Sequence, residues 1–476
     1  MKFIDMNLDA TILDALEILG YEKIMEVQER VLPEMLKGHD CIVQSKTGSG
    51  KTAAYALPIL QNLKINERSP QALILVPTRE LALQVQENFD QMGIYKMVKT
   101  LPIFGKVPFQ FQKEDLKQRC HVIVGTPGRI LDHLNQGTLK VDKIQTCVLD
   151  ESDEMLNMDF LDDVKEILSR LPKSKTTCLF SATLPEEIKE LAKQFLKHPK
   201  MINCMHEEIV NSQVHEISYR VGEEDKLAFL EKLLAFEMPE SCIVFLNMQS
   251  RVETVYHRLK ELGLCVDQIH GGMEQENRFK AMKKFKEGKT RILIATDIVA
   301  RGIDVEKIQL IINYDMPSPV EQYAHRIGRS GRVNELGKAV NFLYTYDSPR
   351  IEKLEEFLQR KLVVFDKSEV EECDLTLEKC QELSKSNRIV ENKSKKLRKD
   401  MMKLYINIGK SKKVRAGDIV GAICQVDGVT GEDIGVIQVQ DHQTYVDIIN
   451  GKGILVLKNL KKVKSKPVRI QKAKSE

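Results

Sequence analysis

The sequence predicts an α/β protein with two tandem parallel-sheet domains followed by a small α+β domain. Apolar, strand-like runs alternate with helical patterns from residue 41 to about residue 204, and the same alternation restarts after Asn211. Alternation of this kind is typical of βαβ units and a doubly wound parallel sheet. The length of 476 residues also exceeds what one hydrophobic core holds, which favours three domains.

The predicted elements follow this division of the chain. In the first unit, buried strands are expected at residues 41–43, 72–76, 121–126, 146–151 and 178–183, with a helix at 53–63. In the second, strands are expected at residues 242–247, 265–271, 291–297, 310–314 and 339–344. The third has strands at 403–409, 434–439, 445–449 and 468–470 and helices at 416–425 and 455–462. The predicted domains are therefore 1–208, 209–365 and 401–476, with a charged linker or helical extension at 366–400.

The composition is that of a globular protein in a reducing compartment. Hydrophobic residues make up 42% of the chain and charged residues 30%, and no run of 18 apolar residues occurs. The N-terminus is acidic and amphipathic, unlike a basic leader with an apolar core, so we expect a cytoplasmic protein without a membrane partner. Ten cysteines occur without a CxxC pair, which favours reduced thiols over a zinc site or a disulfide framework.

The net charge of +3 conceals an asymmetry along the chain. Residues 401–476 hold 14 Lys and Arg against 7 Asp and Glu, a net charge of +7, which leaves −4 for the preceding 400 residues. A basic end on a nearly neutral body indicates a polyanionic partner for the tail, although a solvated lysine face is the alternative.

A glycine-rich loop in the first unit predicts a phosphate site. The run QSKTGSGKT at 44–52 follows an apolar strand and precedes a helical pattern. Glycines in such a loop let backbone N–H groups face a pyrophosphate, while Lys51 would reach the β and γ phosphates and Thr52 would hold Mg2+. The loop residues expected to bind nucleotide are Ser45, Lys46, Thr47, Gly48, Ser49, Gly50, Lys51 and Thr52. The general pattern has glycine where Ser45 stands, and an ordinary glycine turn before a helix is the alternative.

Two acids end a predicted strand about 100 residues later. Asp150 and Glu151 close the run VLDE, and parallel strands bring their carboxyl ends to one crevice. Asp150 would hold Mg2+, and Glu151 would orient and deprotonate the attacking water. Solvated acids at a helix start are the alternative.

Taken with these residues, further motifs resemble the DEAD-box RNA helicases of superfamily 2 over residues 3 to about 345. They are GYEKIMEVQ ending at Gln28, SKTGSGKT at 45–52, PTRELALQ at 77–84, TPGR at 126–129, DESD at 150–153, SAT at 181–183, HGG at 270–272, QENR at 275–278, ATDIVARGID at 295–304 and HRIGRSGR at 325–332. The resemblance implies two RecA-like domains, RNA-stimulated ATP hydrolysis with Mg2+, and RNA as the partner.

The resemblance also implies how the base of ATP is recognised. Gln28 would read the adenine edges, and Phe3 would stack on the base. Ile24 stands where the family has proline, and serine replaces alanine at Ser45 and Ser152. Lys106 replaces the second glycine of the family's GG motif, where it can supply a phosphate contact.

Several residues are implied to face RNA or to connect the two sites. The residues implied to contact RNA are Arg79, Gly105, Thr126, Gly128 and Arg129 in the first domain and Arg251, Gln275, Arg278 and Thr296 in the second. Ser181, Thr183 and His325 are implied to couple nucleotide and RNA. For Arg79 a salt bridge within its helix is the alternative, and for Ser181 a simple turn cap.

Two arginines of the second domain would complete the ATP site. Arg329 and Arg332 in HRIGRSGR are the candidate arginine fingers, because charge on the γ phosphate favours a bidentate cation. Gly302 and Asp304 resemble the family's ribose and interdomain contacts. Hydrolysis should then require closure of two domains, although a basic surface helix is the alternative for the arginines.

The order β-α-β-β-α-β in the tail fits a domain like the RNA recognition motif. Tyr405 matches the stacking aromatic of its first strand, whereas QTYVDI lacks the aromatic pattern expected on the third. The tail cations expected to bind RNA are Lys410, Lys412, Lys413 and Arg415. A helicase core with this tail resembles the subfamily of bacterial DEAD-box protein A.

The subfamily implies a role on 23S ribosomal RNA and pre-50S particles in large-subunit assembly, and we expect a monomer. An ATP-gated RNA clamp or assembly scaffold with little strand separation is the alternative function. For the tail, the less specific hypothesis is that it tethers the helicase to RNA in general. A DNA-directed helicase is disfavoured by the adenine motif and the RNA-binding tail.

Overall fold

In the computed structural model, the first domain is a seven-stranded parallel sheet covered on both faces. The structure describes residues 2–45, 48–204, 214–297, 308–320, 322–328, 330, 337–344, 348–386 and 401–473. The strands are β1 Cys41–Gln44, β2 Ala72–Leu75, β3 Thr100–Ile103, β4 Val122–Gly125, β5 Thr146–Asp150, β6 Thr176–Ser181 and β7 Lys200–Asn203. Their order is β3-β4-β2-β5-β6-β1-β7.

Nine helices are described in this domain, in addition to a 3-10 turn at Phe3–Met6. They are α1 Ala10–Leu19, α2 Glu26–Leu36, α3 Lys51–Asn62, α4 Arg79–Met92, α5 Phe109–Leu116, α6 Pro127–Asn135, α7 Ser152–Asn157, α8 Leu161–Arg170 and α9 Glu186–Phe195. Two apolar clusters lie on the opposite faces of the sheet, because side chains of a strand point alternately to either side; Ile74 faces one cluster and Leu73 the other.

The second domain repeats the construction with a six-stranded parallel sheet. Its strands are β8 Val214–Arg220, β9 Cys242–Phe245, β10 Val266–Ile269, β11 Ile292–Ala295, β12 Leu310–Asn313 and β13 Gly337–Leu343, in the order β10-β11-β9-β12-β13-β8. Its described helices are α10 Lys226–Glu237, α11 Gln249–Glu261, α12 Gln275–Lys286, α13 Gln322–Ile327 and α14 Ser348–Leu358.

The first part of the charged segment after residue 365 packs on this domain. Helices α15 Ser368–Glu371 and α16 Leu377–Ser384 bury Val370 and Leu383 in its core. The backbone N–H of Cys265 donates to the carbonyl of Leu383 (3.2 Å), and Ser386 donates to the carbonyl of Gly288 (2.7 Å). Residues 366–386 therefore form a helical extension of the second domain.

The tail is a separate α+β unit with its own core around Leu404, Ile419 and Val446. Its main sheet has strands β14 Met402–Ile406, β15 Ile434–Val439, β16 Thr444–Ile448 and β19 Ile470–Lys472, in the order β15-β16-β14-β19, with antiparallel pairs. Its helices are α17 Ala416–Ile423 and α18 Gly453–Asn459, and a short hairpin joins β17 Lys462–Val463 to β18 Lys466–Pro467. The predicted fold class is confirmed.

Three strands at sheet edges were missing from the prediction, whereas the edge strands β10, β15 and β19 overlap predicted strands. β3, β7 and β8 all lie at edges, where one side is less buried and the apolar signal is weaker. β3 contains Pro102, which argues against a central strand but is tolerated at an edge. In the described part of the chain, no helix is long and apolar enough to span a bilayer.

Candidate nucleotide and RNA site

The phosphate loop connects β1 to α3 through a turn that requires glycine. Gly48 and Gly50 have φ of 79° and 84°, the left-handed region that favours glycine. A Cβ on Gly50 would lie 2.4 Å from Nε2 of Gln28, so the loop packs directly against that side chain. Lys46 and Thr47 lie outside the described residues. Lys51 begins α3 and directs its ammonium to the carbonyl of Ser45 (3.4 Å).

Gln28 joins the predicted adenine position to the phosphate loop. Its Oε1 accepts from the N–H of Met25 (3.0 Å), and its Nε2 donates to the carbonyl of Gly50 (3.2 Å). A carboxamide has two donor hydrogens and two acceptor lone pairs, so one of each remains for an adenine edge. The adenine contact stays a prediction, but Gln28 can transmit base binding to the loop.

Phe3 is buried in the core of the first domain. Its ring contacts Tyr21 edge-on with centroids 5.9 Å apart, and only 4% of the residue is exposed. Little of the ring is therefore open to a base in this conformation. The stacking role that the family resemblance implies for Phe3 stays a prediction.

Asp150 ends β5 as a buried carboxylate held by two donors. The hydroxyl of Tyr55 donates to Oδ2 (2.8 Å), and the N–H of Glu151 donates to Oδ1 (3.0 Å). Burial raises the pKa of Asp150, while the charge of Lys51 and the hydrogen bond from Tyr55 oppose that shift. Tyr55 was missed by the sequence reasoning, because in a helix of apolar residues it has no signal beyond that of a core aromatic.

Glu151 occupies a strained backbone conformation at the same strand end. Its φ of 53° and ψ of 50° are left-handed, a region that costs a residue with a Cβ free energy. The turn lets the chain leave β5 and begin α7 at once, so that the two neighbouring acids do not continue along one strand. Separate tasks for Asp150 and Glu151 are compatible with this geometry.

DESD and SAT are joined because β5 and β6 are neighbours in the sheet. Oδ2 of Asp153 accepts from the N–H of Thr183 (2.9 Å) and from its hydroxyl (3.0 Å), and the N–H of Asp153 donates to Oγ of Ser181 (3.2 Å). The carbonyl of Ser181 accepts from the N–H of Ser45 in the phosphate loop (3.0 Å). These bonds link both predicted coupling residues to the nucleotide loop.

The donor set near the loop fits Mg2+ held mainly by nucleotide. Thr52 offers a hydroxyl and Asp150 a carboxylate, the hard oxygen ligands that Mg2+ prefers. Among the described residues no group of three or more His, Cys, Asp and Glu is arranged to hold a metal by itself. Mg2+ commonly binds through one or two carboxylates together with substrate phosphates, which matches this arrangement.

The RNA-facing residues predicted in the first domain lie where three adjacent strands end. Arg79 follows β2 and Thr126 follows β4, each at a helix start; Arg129 lies in the first turn of α6. The guanidinium of Arg129 donates from Nη1 to the carbonyl of Val107 (2.9 Å) and to Oε1 of Gln112 (3.0 Å). Gln112, which is buried, is thus a positioning residue that the sequence reasoning missed.

The two glycines of this region lie beside charged groups. A Cβ on Gly105 would lie 3.6 Å from Nη2 of Arg79, and a Cβ on Gly128 would lie 3.4 Å from Oδ2 of Asp163. Both distances are ordinary contacts, so neither position requires glycine for internal packing alone. An RNA backbone that approaches closely could still require glycine at these two positions, and that contact stays a prediction.

Arg79 makes contacts across the two domains. Its Nη1 donates to Oε1 of Gln275 (2.9 Å) on α12, whose Nε2 donates to Oε1 of Glu80 (3.0 Å). Arg278 forms an ion pair with the same Oε1 (2.6 Å). Burial lowers the pKa of Arg79, and the charges of Arg278 and Arg129 act in the same direction. Gln275 and Arg278, predicted to face RNA, therefore bridge to the first domain here.

Other predicted residues of the second domain are also engaged within the protein. Arg251 donates to Oδ1 of Asp315 (2.8 Å) and pairs with Glu223 (2.6 Å), and Thr296 is buried at the end of β11. His325 reaches the first domain, with Nδ1 3.0 Å from Oε1 of Glu154. The predicted residues Gly302, Asp304, Arg329 and Arg332 lie outside the described residues.

Arg326, beside His325, is the centre of a buried polar network. Its Nη2 donates to Oδ2 of Asp297 (2.7 Å) and to Oδ1 of Asn247 (3.0 Å), and its Nη1 donates to Oδ1 of Asn313 (3.0 Å). The guanidinium carbon also lies 5.0 Å from the centroid of the Phe245 ring. Sequence reasoning passed over Arg326 because its motif contains two other arginines with a clearer expected role.

In the tail, Tyr405 lies beside a second tyrosine on the open face of the sheet. β14 and β16 pair with Tyr405 opposite Tyr445, and the rings are 5.7 Å apart edge-on. Tyr445 was missed because the third strand was compared with a multi-aromatic pattern. Alternation in TYVDI, with Thr444, Val446 and Ile448 buried, was the available signal.

The predicted tail cations form an exposed ridge. Lys410, Lys412, Lys413 and Arg415 are all exposed, on the segment between β14 and α17. The ammonium groups of Lys464 and Lys466 in the β17–β18 hairpin donate to the carbonyls of Lys413 (3.1 Å) and Lys412 (2.9 Å). The hairpin thereby fixes the ridge and adds two cations to it.

Comparison with known proteins agrees with this geometry. Residues 25–191 match the DEAD/DEAH box helicase family, residues 225–334 the helicase conserved C-terminal domain and residues 403–472 the DbpA RNA binding domain. The ATP-dependent RNA helicase DbpA of Bacillus subtilis is 44% identical over 476 residues, 99% of either chain. The DEAD-box ATP-dependent RNA helicase CshA of Geobacillus kaustophilus is 39% identical over 360 residues, 76% of this chain and 77% of the relative.

Among solved structures, Saccharomyces cerevisiae Dbp5 bound to RNA and ADP BeF3 superposes with a TM-score of 0.70 at 27% identity. The match covers 81% of this chain and 100% of that one. The chain therefore belongs to the DEAD-box family: it is an ATP-dependent RNA helicase of the DbpA type with a C-terminal RNA-binding domain.

Proposed function

We propose that this helicase remodels short duplexes in 23S ribosomal RNA during assembly of the large ribosomal subunit, with its tail as the tether. The observation that supports this most is similarity over the whole chain. CshA relatives match about three quarters of it, whereas the Bacillus subtilis DbpA matches 99%, tail included. The choice of RNA then depends on residues 401–476, and the cell compartment is the cytoplasm, where a monomer acts on pre-50S particles.

The proposed nucleotide chemistry uses the first domain. Lys51 and the N–H groups of the phosphate loop bind the phosphates of ATP, and Gln28 and Phe3 select adenine. Glu151 takes a proton from the attacking water, which is oriented toward the γ phosphate. Thr52 and Asp150 would hold Mg2+ together with the phosphates, and the ion would supply neutralisation of the developing charge. Arg329 and Arg332 from the second domain stabilise the transferred group, and Gly302 and Asp304 contact the ribose and the interface.

The proposed coupling arises because ATP and single-stranded RNA each bind both domains. Each ligand then favours the closed form, so binding of one increases the affinity for the other. The hydrogen bonds of Asp153 with Ser181 and Thr183, and the contacts of Glu80 with Gln275 and Arg278, support this connection. Closure bends one strand and separates a short duplex locally, and hydrolysis reopens the cleft.

Removal of the tail tests the proposed tether. Because the tail has its own core, deletion of residues 401–476 should leave RNA-stimulated ATPase activity intact. Half-maximal stimulation should then require similar concentrations of a 23S fragment and of an unrelated RNA of equal length, whereas the full chain should prefer the 23S fragment. An equal preference before and after deletion would rule out the tether.

A duplex-release assay separates remodelling from an ATP-gated clamp. With excess ATP, the full chain should release a labelled strand from a short duplex joined to the 23S fragment, and Glu151→Gln should bind the RNA without releasing it. Release no faster than that of Glu151→Gln would favour the clamp.

A further inference from the structure

Tyr55 is a fully buried residue of α3 that ends in a polar group. Its exposed fraction is 0%, and the helix positions around it, residues 53–60, are otherwise apolar. Its hydroxyl donates to Oδ2 of Asp150 (2.8 Å), which lies 95 positions later in the chain. A buried hydroxyl costs free energy unless it is hydrogen-bonded, so packing alone would be satisfied by phenylalanine. The role of the hydroxyl therefore lies in its bond with Asp150.

The ring of Tyr55 is held in place by two other aromatic residues. Its centroid lies 5.2 Å from that of Phe180, in an edge contact, and 6.2 Å from that of Phe89. Phe180 is also the partner of Asp150 in the pairing of β5 with β6. The strand pair that places the carboxylate thus places the ring as well, so the donor and its acceptor are aligned by packing.

The carboxylate of Asp150 is held at both of its oxygens. The N–H of Glu151 donates to Oδ1 (3.0 Å), and Tyr55 donates to Oδ2. One donor on each oxygen restricts rotation of the carboxylate, and an ionised carboxylate keeps further lone pairs for a metal ion or its water. The backbone donor is present whatever side chain follows Asp150, whereas the second donor depends on a single hydroxyl group. Loss of that group would release one side of the carboxylate.

We propose that Tyr55 is a positioning residue for Mg2+-bound nucleotide, because its hydroxyl holds the Asp150 carboxylate in one orientation at the phosphate site. The inference rests on the proposed Mg2+ role of Asp150 and adds the side chain that orients it. Thr52, the other predicted Mg2+ ligand, precedes Tyr55 by three residues on α3, so the two side chains lie on one face of the helix. Loss of a hydrogen-bond partner behind a metal ligand commonly lowers metal affinity by about 10- to 100-fold.

The experiment measures binding of fluorescent methylanthraniloyl-ADP to the full chain, once with Mg2+ and once with EDTA in its place. Tyr55→Phe removes only the hydroxyl and should weaken binding with Mg2+ by about tenfold, since the phosphates still supply part of the coordination. Binding in EDTA should be unchanged, because Lys51 and the phosphate loop are intact. In ATP hydrolysis, the Mg2+ concentration for half-maximal rate should rise, whereas the rate at saturating Mg2+ should fall little.

Tyr323→Phe is the matched control. The hydroxyl of this fully buried residue donates to Oε2 of Glu216 (2.7 Å) in the second domain, where no Mg2+ ligand is predicted. Both variants lose a buried hydrogen bond and should melt at a lower temperature, but only Tyr55→Phe should change the effect of Mg2+ on nucleotide binding. A double substitution tests the route of the effect: in the Asp150→Ala variant, which lacks the carboxylate, Tyr55→Phe should cause no further loss.

The proposal is overturned if Tyr55→Phe and Tyr323→Phe show the same ratio of affinities with Mg2+ and with EDTA. It is also overturned if Tyr55→Phe weakens binding with Mg2+ as much in Asp150→Ala as in the wild-type chain. If Asp150→Ala itself keeps the full effect of Mg2+, the proposed metal role of Asp150 fails, and the role of Tyr55 fails with it. Failure of the proposed RNA remodelling gives a different result, in which the Mg2+ dependence is as expected but no duplex strand is released.

Discussion

The two parallel sheets of this helicase are built alike but use their carboxyl ends differently. In the first domain, Lys51 begins α3 directly after the phosphate loop, and Asp150 ends β5. In the second, Lys226 is fully buried and pairs with Asp315 (3.2 Å), and Arg326 pairs with Asp297. Lys51 and Asp150 belong to the predicted ATP site, whereas Lys226 and Arg326 are paired with carboxylates of their own domain.

This difference shows that a basic residue predicted to face a ligand can also be paired within the protein. Arg251 is held by Asp315 and Glu223, and these carboxylates outweigh burial, so the pKa of Arg251 is raised. Asp315 also accepts a hydrogen bond from Arg326 of α13 at its carbonyl, so these contacts hold α13 against the sheet. We therefore expect substitution of Lys51 or Glu151 to affect chemistry and substitution of Arg326 to affect stability.

The largest effect is expected in the phosphate site. Lys51→Ala and Glu151→Gln should each lower RNA-stimulated ATP turnover by about 100-fold or more, because they remove the phosphate cation and the general base. Steady-state phosphate release measures this, with Lys64→Ala, an exposed lysine just after α3, as the control. Turnover close to wild type in either variant would contradict the assigned roles.

The second domain should respond in stability. Arg326→Met leaves Asp297 without its buried counter-charge and should lower the free energy of opening of β11 and β12 by about 3 kcal/mol. Hydrogen exchange of the strand amides measures this opening. Arg258→Met is the matched control, since its bidentate pair with Glu231 lies on the surface and should contribute little. If Arg326→Met and Arg258→Met lower the opening free energy equally, the buried pair of Arg326 contributes no more to stability than a surface pair.

A smaller effect is expected where the two domains meet. Glu80→Gln replaces the acceptor shared by Gln275 and Arg278, which should favour separation of the domains. The RNA concentration for half-maximal ATPase activity should rise by about tenfold, with the maximal rate less affected. Glu87→Gln, exposed on the same helix and bonded only locally to Gln91, serves as the control. A change in the maximal rate alone would indicate a role in chemistry instead.

The sequence was sufficient for the domain order and for residues whose role depends on local pattern. Gly48, Gly50 and the DESD box are recognisable because turn geometry and strand ends are encoded within a few residues. Partners that come from distant segments were not predictable. Tyr55 meets Asp150, and Glu80 meets Arg278, only after strands and domains have been arranged.

Strand limits were less predictable than strand existence. In the tail the first strand ends at Ile406, three residues before the predicted limit. Gly409 explains the early end: Lys410 and Ser411 donate their N–H groups to the carbonyls of Gln440 and Asp441, both at 2.8 Å. The chain thus turns toward the β15–β16 loop, a contact between segments about 30 residues apart that no local pattern reveals.

The hydrogen bond from Ser386 to the carbonyl of Gly288 fixes the point on the second domain from which the chain continues to the tail. Gly288 lies just before β11, at the side of the second sheet opposite the predicted RNA contacts. Fourteen residues separate Ser386 from Met401, so the two points are at most about 50 Å apart even in a fully extended chain. Under the proposed tether, an RNA bound by the tail would be held at high local concentration near the helicase core, within that distance. A duplex farther than this from the tail-bound site would come close to the helicase core only if the RNA folds back toward it.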